Sequence, residues 1–306
     1  MANQKPKKVA KKPSTKPEAK KEALVTPAVQ TTCAEPSLKG FFARKCDKDE
    51  NVLTIFKSPR IWGALLGELI GTMLIVILLL SLGILSGGMN PLYMFFAVIG
   101  IYTAVVALSS ANLNPLITVG MMATRRMSAI RGVLYILAQV LGAWLALIVL
   151  NAFRLGGMST LELPMMDEVT GETFWSVALV ELLGAIIIAF CFARALRYAR
   201  KSPLTFAMTV SSGLALAVIV GIVISQGFFG IANGFMFNPA AALMYQILPT
   251  TADGFGELAS MAGLALAAYI VFPMIGGIIG FYISDVTTKL AAGGYACDDY
   301  DCPCKK

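Results

Sequence analysis

The chain has 306 residues, 57% of them hydrophobic and 14% charged, with no histidine and a formal net charge of +7. With a mean hydropathy of +0.73, a soluble domain would carry an apolar surface, so the composition points to a protein that lives in lipid. The positive charge does not imply nucleic acid, because 14 of the 25 Lys and Arg fall between Lys5 and Arg60, ahead of the first apolar run.

Residues 1–60 are rich in Lys, Pro, Ala and Thr and hold no apolar run, so they are read as a disordered basic tail. They lack the hydrophobic stretch of a signal peptide. The mixture of Lys with Glu18, Glu22, Glu35, Asp47, Asp49 and Glu50 fits a transit peptide poorly. Apolar runs of about 20 residues, the length that crosses a ~30 Å hydrocarbon core as helix, follow in order. They are Ile61 to Leu82, Leu92 to Leu108, Ala129 to Leu150, Phe174 to Phe192, Leu204 to Ile224 and Met261 to Ile283. Strand-like alternation is absent, and lipid leaves helices as the alternative to a closed barrel. The fold class is an all-α membrane protein with six transmembrane helices. The membrane domain is expected over 61–287, in halves of about 61–152 and 173–284. A second tail, 288–306, carries Cys297, Cys302 and Cys304. These thiols lack zinc spacing, no metal or cofactor is implied, and no disulfide framework follows.

The charges set the orientation. Arg125, Arg126 and Arg131 follow the second run, Arg194, Arg197, Arg200 and Lys201 follow the fourth, and Lys289, Lys305 and Lys306 end the chain. Only Arg154 lies on the other side. By the positive-inside rule both termini are cytoplasmic, and the loop with Glu162, Asp167, Glu168 and Glu172 faces outward. The basic tail reads as a solvated arm near an anionic lipid surface, and a plasma-membrane location is expected.

The two halves repeat each other. Glu68-Leu69-Ile70-Gly71 in the first run is matched by Glu181-Leu182-Leu183-Gly184 in the fourth, Asn114-Pro115-Leu116 by Asn238-Pro239-Ala240, and Gly142-Ala143 by Gly276-Gly277. Three spans per half make the second half enter from the opposite side, so the repeat is inverted.

Asn favours the position before a helix and Pro the first position within it, so each Asn-Pro starts a helix. The segments behind, Leu116 to Met122 and Ala240 to Tyr245, are too short to span. Each is therefore a re-entrant half-helix whose lead-in must line an aqueous cavity. Their N-termini would meet at the midplane, each presenting about half a positive charge, and would repel cations and protons there. The amides of Asn114 and Asn238 can cap with oxygen while donating from nitrogen to a solute.

Ser109-Ser110-Ala111-Asn112-Leu113-Asn114-Pro115-Leu116-Ile117-Thr118 resembles the S-G-A-H-L-N-P-A-V-T segment of the aquaporin and glycerol-facilitator family. Asn233-Gly234-Phe235-Met236-Phe237-Asn238-Pro239-Ala240 resembles the facilitators' T-G-F-A-L-N-P-A, and Arg125 to Ser128 with Tyr135 to Gly142 resembles the family's third span. The resemblance implies six spans plus two half-helices, a pore in each monomer and a homotetramer. It also implies that Glu68 and Glu181 brace the half-helix loops, with Gln139 a similar brace.

The sequence departs from the family at the outer constriction. Ala241 stands where the family has an Arg, Ala242 where glycerol facilitators have an Asp, Leu116 where an Ala is usual, and no His is available for a water-selective filter. Phe235 matches the facilitators' aromatic, and ungapped counting puts Met94 opposite it. A ring of Phe235, Ala241 and Met94 is wider, more apolar and less positive than the family norm. The expected function is a passive channel for water and small uncharged, glycerol-like solutes. The alternatives are a junction or scaffold protein with a closed pore and an inverted-repeat secondary transporter. No nucleophile and base pair lies in the spans to suggest an enzyme.

Overall fold

The computed structural model describes residues 55–85, 90–155, 169–231, 234–244 and 263–291. The tail cysteines, Glu162, Asp167 and Glu168 of the acidic loop, and Tyr245 lie outside them. All elements among the described residues are helical. In chain order they are α1 (Pro59–Leu85), α2 (Pro91–Val105), α3 (Pro115–Ala123), α4 (Ala129–Leu155), α5 (Phe174–Ala195), α6 (Pro203–Ile222), α7 (Pro239–Ala242) and α8 (Phe272–Ala291). A π-helical turn, Val223–Phe228, extends α6, and another, Ala267–Val271, precedes α8.

The helix starts follow from side-chain chemistry. Asn90, Asn114 and Asn238 each precede a Pro, and each side chain accepts a hydrogen bond from the backbone of its own first turn. Ser202-Pro203 opens α6 in the same way, although there the Ser hydroxyl pairs with the Thr205 hydroxyl at 2.7 Å. Proline at the first position forgoes an amide that would be unpaired there anyway. Pro273 also accounts for a departure from α geometry. It has no amide to donate to Tyr269 and its ring crowds that carbonyl, and the turn just ahead of it, Ala267–Val271, widens to π.

Five stretches are long and apolar enough to cross a bilayer: Pro59–Ser81, Ala129–Ala152, Phe174–Tyr198, Pro203–Phe228 and Gly263–Ala291. The remaining expected span, the second in chain order, is α2, which has 15 residues and is about 22 Å long, short of the run to Leu108 read from hydropathy. It ends early because the chain turns there, with Leu108 and Ser109 both donating to the Val105 carbonyl at 2.8 and 3.0 Å. That turn delivers the chain to α3. At the other end, helix packing begins before the expected boundary, with Ile55 buried beside Ile61, Ala64 and Tyr135.

Packing follows the repeat. α1 lies on α4 as α5 lies on α8, and α2 meets α6 between the halves. Each half-helix crosses over, α3 packing on α8 and α7 on α4. The closest seams are matched too. A Cβ on Gly142 would sit 2.3 Å from the Leu69 carbonyl oxygen, and one on Gly276 would sit 2.6 Å from that of Leu182. Leu69 and Leu182 each follow the repeat's Glu, so the same contact is built twice. Lipid supplies no hydrophobic drive between helices, and close backbone approach at small residues is what gives them dispersion contact. Large apolar side chains such as Trp62, Leu66, Phe96, Leu137, Trp144 and Leu216 remain exposed on the outside, as a lipid-facing surface requires.

Candidate functional site

The site grows out of the two lead-ins before α3 and α7. Leu113 and Phe237, the residues just ahead of the two Asn, have φ of 54° each, and Ala111 has φ of 50°. A left-handed residue other than glycine costs about 1–2 kcal/mol, so something must hold it. Two interactions do so in each half. Glu68 accepts the amides of Asn112 at 3.0 Å and Leu113 at 2.8 Å, and Glu181 accepts those of Met236 at 2.5 Å and Phe237 at 3.1 Å. Both Glu are fully buried. These amides belong to non-helical backbone at membrane depth, where water cannot replace the partner.

The second interaction is a socket. A Cβ on Gly71 would lie 2.5 Å from Leu113 Cδ2, and one on Gly184 would lie 2.1 Å from Phe237 Cε1. Each glycine comes three residues after its Glu. The helix that supplies the acceptor therefore also makes room for the side chain that the left-handed turn throws inward.

Beyond the turns stand the two Asn. Asn114 Oδ1 accepts from the Leu116 amide at 3.1 Å, and Asn238 Oδ1 accepts from the Ala240 amide at 3.1 Å and the Ala241 amide at 3.4 Å. Their nitrogens cross to the other half. Asn114 Nδ2 donates to the Phe237 carbonyl at 2.7 Å, and Asn238 Nδ2 to the Leu113 carbonyl at 3.4 Å. An amide nitrogen carries two hydrogens, so each Asn keeps one N–H beyond its crossing bond. Pro115 and Pro239 take the first helical positions, and the two half-helix N-termini are tied to each other through these reciprocal bonds.

The first half carries a side-chain network around Glu68. Gln139 Nε2 donates to Glu68 Oε2 at 2.8 Å and lies 2.9 Å from the Thr118 hydroxyl. Asn112 Nδ2 donates to that hydroxyl at 3.1 Å, Ser110 donates to Asn112 at 2.8 Å, and Ser109 donates to Glu68 at 2.6 Å. Gln139, Thr118 and Asn112 are all fully buried. At the far end of α3, Arg126 pairs with Asp285 at 2.5 Å and lies over the Phe281 ring, and Tyr282 donates to the Ala123 carbonyl at 3.2 Å. Those contacts fasten α3 to α8.

The expected constriction residues are placed as follows. Met94 and Phe235 belong to one apolar cluster, together with Leu116, while Ala240 and Ala241 belong to another. The Phe235 ring stacks on Phe237 with centroids 4.8 Å apart, and its edge lies 3.0 Å from where a Cβ on Gly221 would be. Leu116 lends its carbonyl to a close contact with α8, 2.3 Å from a Cβ built on Gly277. Sequence reading had not picked out Ser109, Asn112, Thr118 or the sockets at Gly71 and Gly184. The sockets left a signal, a glycine three positions after each repeat Glu, and Thr118 stands one helical turn after Asn114.

A family model, "Major intrinsic protein", matches residues 55–284. The chain belongs to the major intrinsic protein family. It is an integral, multi-pass membrane protein. A banana relative (Musa acuminata), aquaporin TIP1-2, is 26% identical over 178 residues, 58% of this chain and 62% of its own length. The chain thus spans about three fifths of that relative. Among solved structures, the aquaglyceroporin from Plasmodium falciparum superposes with a TM-score of 0.58 at 18% identity, over 76% of this chain and 99% of that one. This likeness agrees with the six spans and two half-helices read above. Within the major intrinsic protein fold, Asn238-Pro239-Ala240 is followed by Ala241 and Ala242, so the start of α7 carries no charged side chain.

Proposed function

We propose that this member of the family is a passive channel for water and small uncharged solutes of glycerol size, conducting between the half-helices α3 and α7. The observation that carries the reading is the reciprocal pair of Asn bonds. Each Asn amide is fixed at both ends, by its own helix and by the opposite carbonyl, and each retains one N–H donor. A solute oxygen held by both donors is oriented, and two helix N-termini make the same spot unfavourable for cations. In this reading Glu68, Glu181 and Gln139 are supports, while Met94, Phe235 and Ala241 form the outer constriction. Both termini face the cytoplasm of a plasma-membrane homotetramer in which every monomer has its own pore.

The Ala at 241 gives the reading its substrate size. Ala241→Arg would add a planar cation with five donors where only a methyl now stands. Reconstituted at matched assembly, that variant is expected to lose glycerol flux far more than water flux and to lose any potassium leak of the parent. An unchanged glycerol-to-water ratio in well-assembled Ala241→Arg would remove residue 241 from the constriction and refute the widened outer opening.

A further inference from the structure

The repeat makes the two half-helices comparable atom by atom, and the comparison is uneven. The matched contacts of Gly142 on Leu69 in α1 and of Gly276 on Leu182 in α5 set which residue of α4 corresponds to which of α8 in the repeat. Three residues before these glycines stand Gln139 in α4 and Pro273 in α8. Four residues after each capping Asn stand Thr118 in α3 and Ala242 in α7. Gln139 and Thr118 bond to each other and tie α3 and its lead-in to Glu68. Pro273 and Ala242 have no side-chain hydrogen-bonding group at all.

The backbone around the second half-helix is uneven in the same direction. The π-turn Ala267–Val271 packs against α7, and the π-turn Val223–Phe228 ends the sixth helix ahead of the second lead-in. The positions that correspond in the first half, 99–104 and 133–137, are regular α-helix. A π-turn replaces the i→i−4 ladder by a wider i→i−5 loop of backbone, a rare departure that is frequent at functional sites.

We infer that the two halves of the site are mechanically unequal, with α3 as the fixed half-helix and α7 as the one that yields, so that conformational control of the site resides in the second half. The inference rests on the pore reading for its meaning, but the difference in rigidity can be measured without any flux. Gln139 and Thr118 act as positioning residues for Asn114. Among the described residues no side-chain pair of that kind positions Asn238; its lead-in is held by Glu181 through the Met236 and Phe237 amides, and by Ser225 within the π-turn, whose hydroxyl donates to the Ile231 carbonyl at 2.7 Å and whose carbonyl accepts the Ile231 amide at 2.9 Å. Movement of α7 would break the bond from Asn238 to the Leu113 carbonyl, which at 3.4 Å is the longer of the two crossing bonds.

Hydrogen–deuterium exchange on the full chain in lipid nanodiscs tests this directly. The amides of Met236, Phe237 and Ala240 to Ala242 are expected to exchange about tenfold or more faster than those of Asn112, Leu113 and Leu116 to Thr118. Equal rates, or the reverse order, would overturn the inference. Two variants sharpen it. Transplanting the missing pair with Ala242→Thr and Pro273→Gln should slow exchange in the second segment, and an assembled double variant with unchanged exchange there would count against it. Should that variant fail to assemble, Thr118→Ala with Gln139→Leu should raise exchange in the first segment towards that of the second, and no rise would overturn it. Wild-type proteoliposomes without water flux would defeat the pore reading and leave the exchange result standing.

Discussion

Replacing Gly142 or Gly276 by alanine tests the packing on which the site is built. At 142 the new methyl would lie 2.3 Å from the Leu69 carbonyl oxygen, and at 276 it would lie 2.6 Å from that of Leu182. Ordinary contact begins at 3.4 Å, so each seam must open by roughly 1 Å, which forfeits dispersion along the whole α1–α4 or α5–α8 interface. Overpacking of this kind costs about 1–3 kcal/mol. Alanine returns about 1 kcal/mol through its better helix propensity, which leaves a net loss of up to about 2 kcal/mol. Gly63 and Gly100 are the controls. They are helical glycines with nothing within 4 Å of a built Cβ, so only the propensity gain applies, up to ~1 kcal/mol of stabilisation. Thermal unfolding followed by tryptophan fluorescence, with oligomer yield by size exclusion, should rank Gly63→Ala and Gly100→Ala at or above wild type and Gly142→Ala and Gly276→Ala well below. Equal Tm for Gly142→Ala and Gly100→Ala would refute the seam.

Glu68→Gln turns one of the two acceptor oxygens towards the Leu113 amide and Gln139, or towards Ser109 and the Asn112 amide, into a donor, so two of the bonds now made must break. A loss of roughly 2–4 kcal/mol in unfolding measurements is expected, and an unchanged unfolding midpoint would show that Glu68 does not hold the lead-in. The Arg126–Asp285 pair, with side chains 11% and 12% exposed, should give a coupling of about 1–3 kcal/mol in a double-mutant cycle of the two alanine variants. Independent effects of the two alanines would mean the pair does not clamp α3 to α8. Cys191 lies against Gly213 on the α5–α6 seam, so impermeant mercurials applied from outside should leave flux unchanged. Rapid block that Cys191→Ser abolishes would place that thiol on the solute path.

Much of the fold was legible because lipid restricts the options. Length and hydropathy marked the spans, and the Asn-Pro pairs at equivalent places marked the half-helices. The boundary of α2 was not legible, since Val106 to Leu108 are as apolar as the helix before them and only the tertiary need to feed α3 ends it at Val105. The π-turns were equally hidden, although Pro273 is a sequence trace of the one at Ala267–Val271. Within the site, the two Asn and the two Glu announced themselves by repetition. Asn112, Thr118 and Ser109 did not, because they belong to one half only and repetition cannot reveal what is not repeated. Phe235 illustrates the remaining gap. Its identity matched a constriction aromatic, yet its ring is stacked on Phe237 and pressed towards Gly221, a packing that no linear pattern encodes.

Stopped-flow light scattering on proteoliposomes of known protein content measures the central claim most directly. With Asn114 and Asn238 each holding one free donor at the meeting point of α3 and α7, an osmotic step should shrink protein-containing vesicles well faster than protein-free ones. The temperature dependence should be weak, as it is for diffusion through an aqueous path rather than through lipid, and a proton gradient across the same vesicles should persist. Shrinkage no faster than that of empty vesicles, with the protein assembled and inserted, would contradict the account.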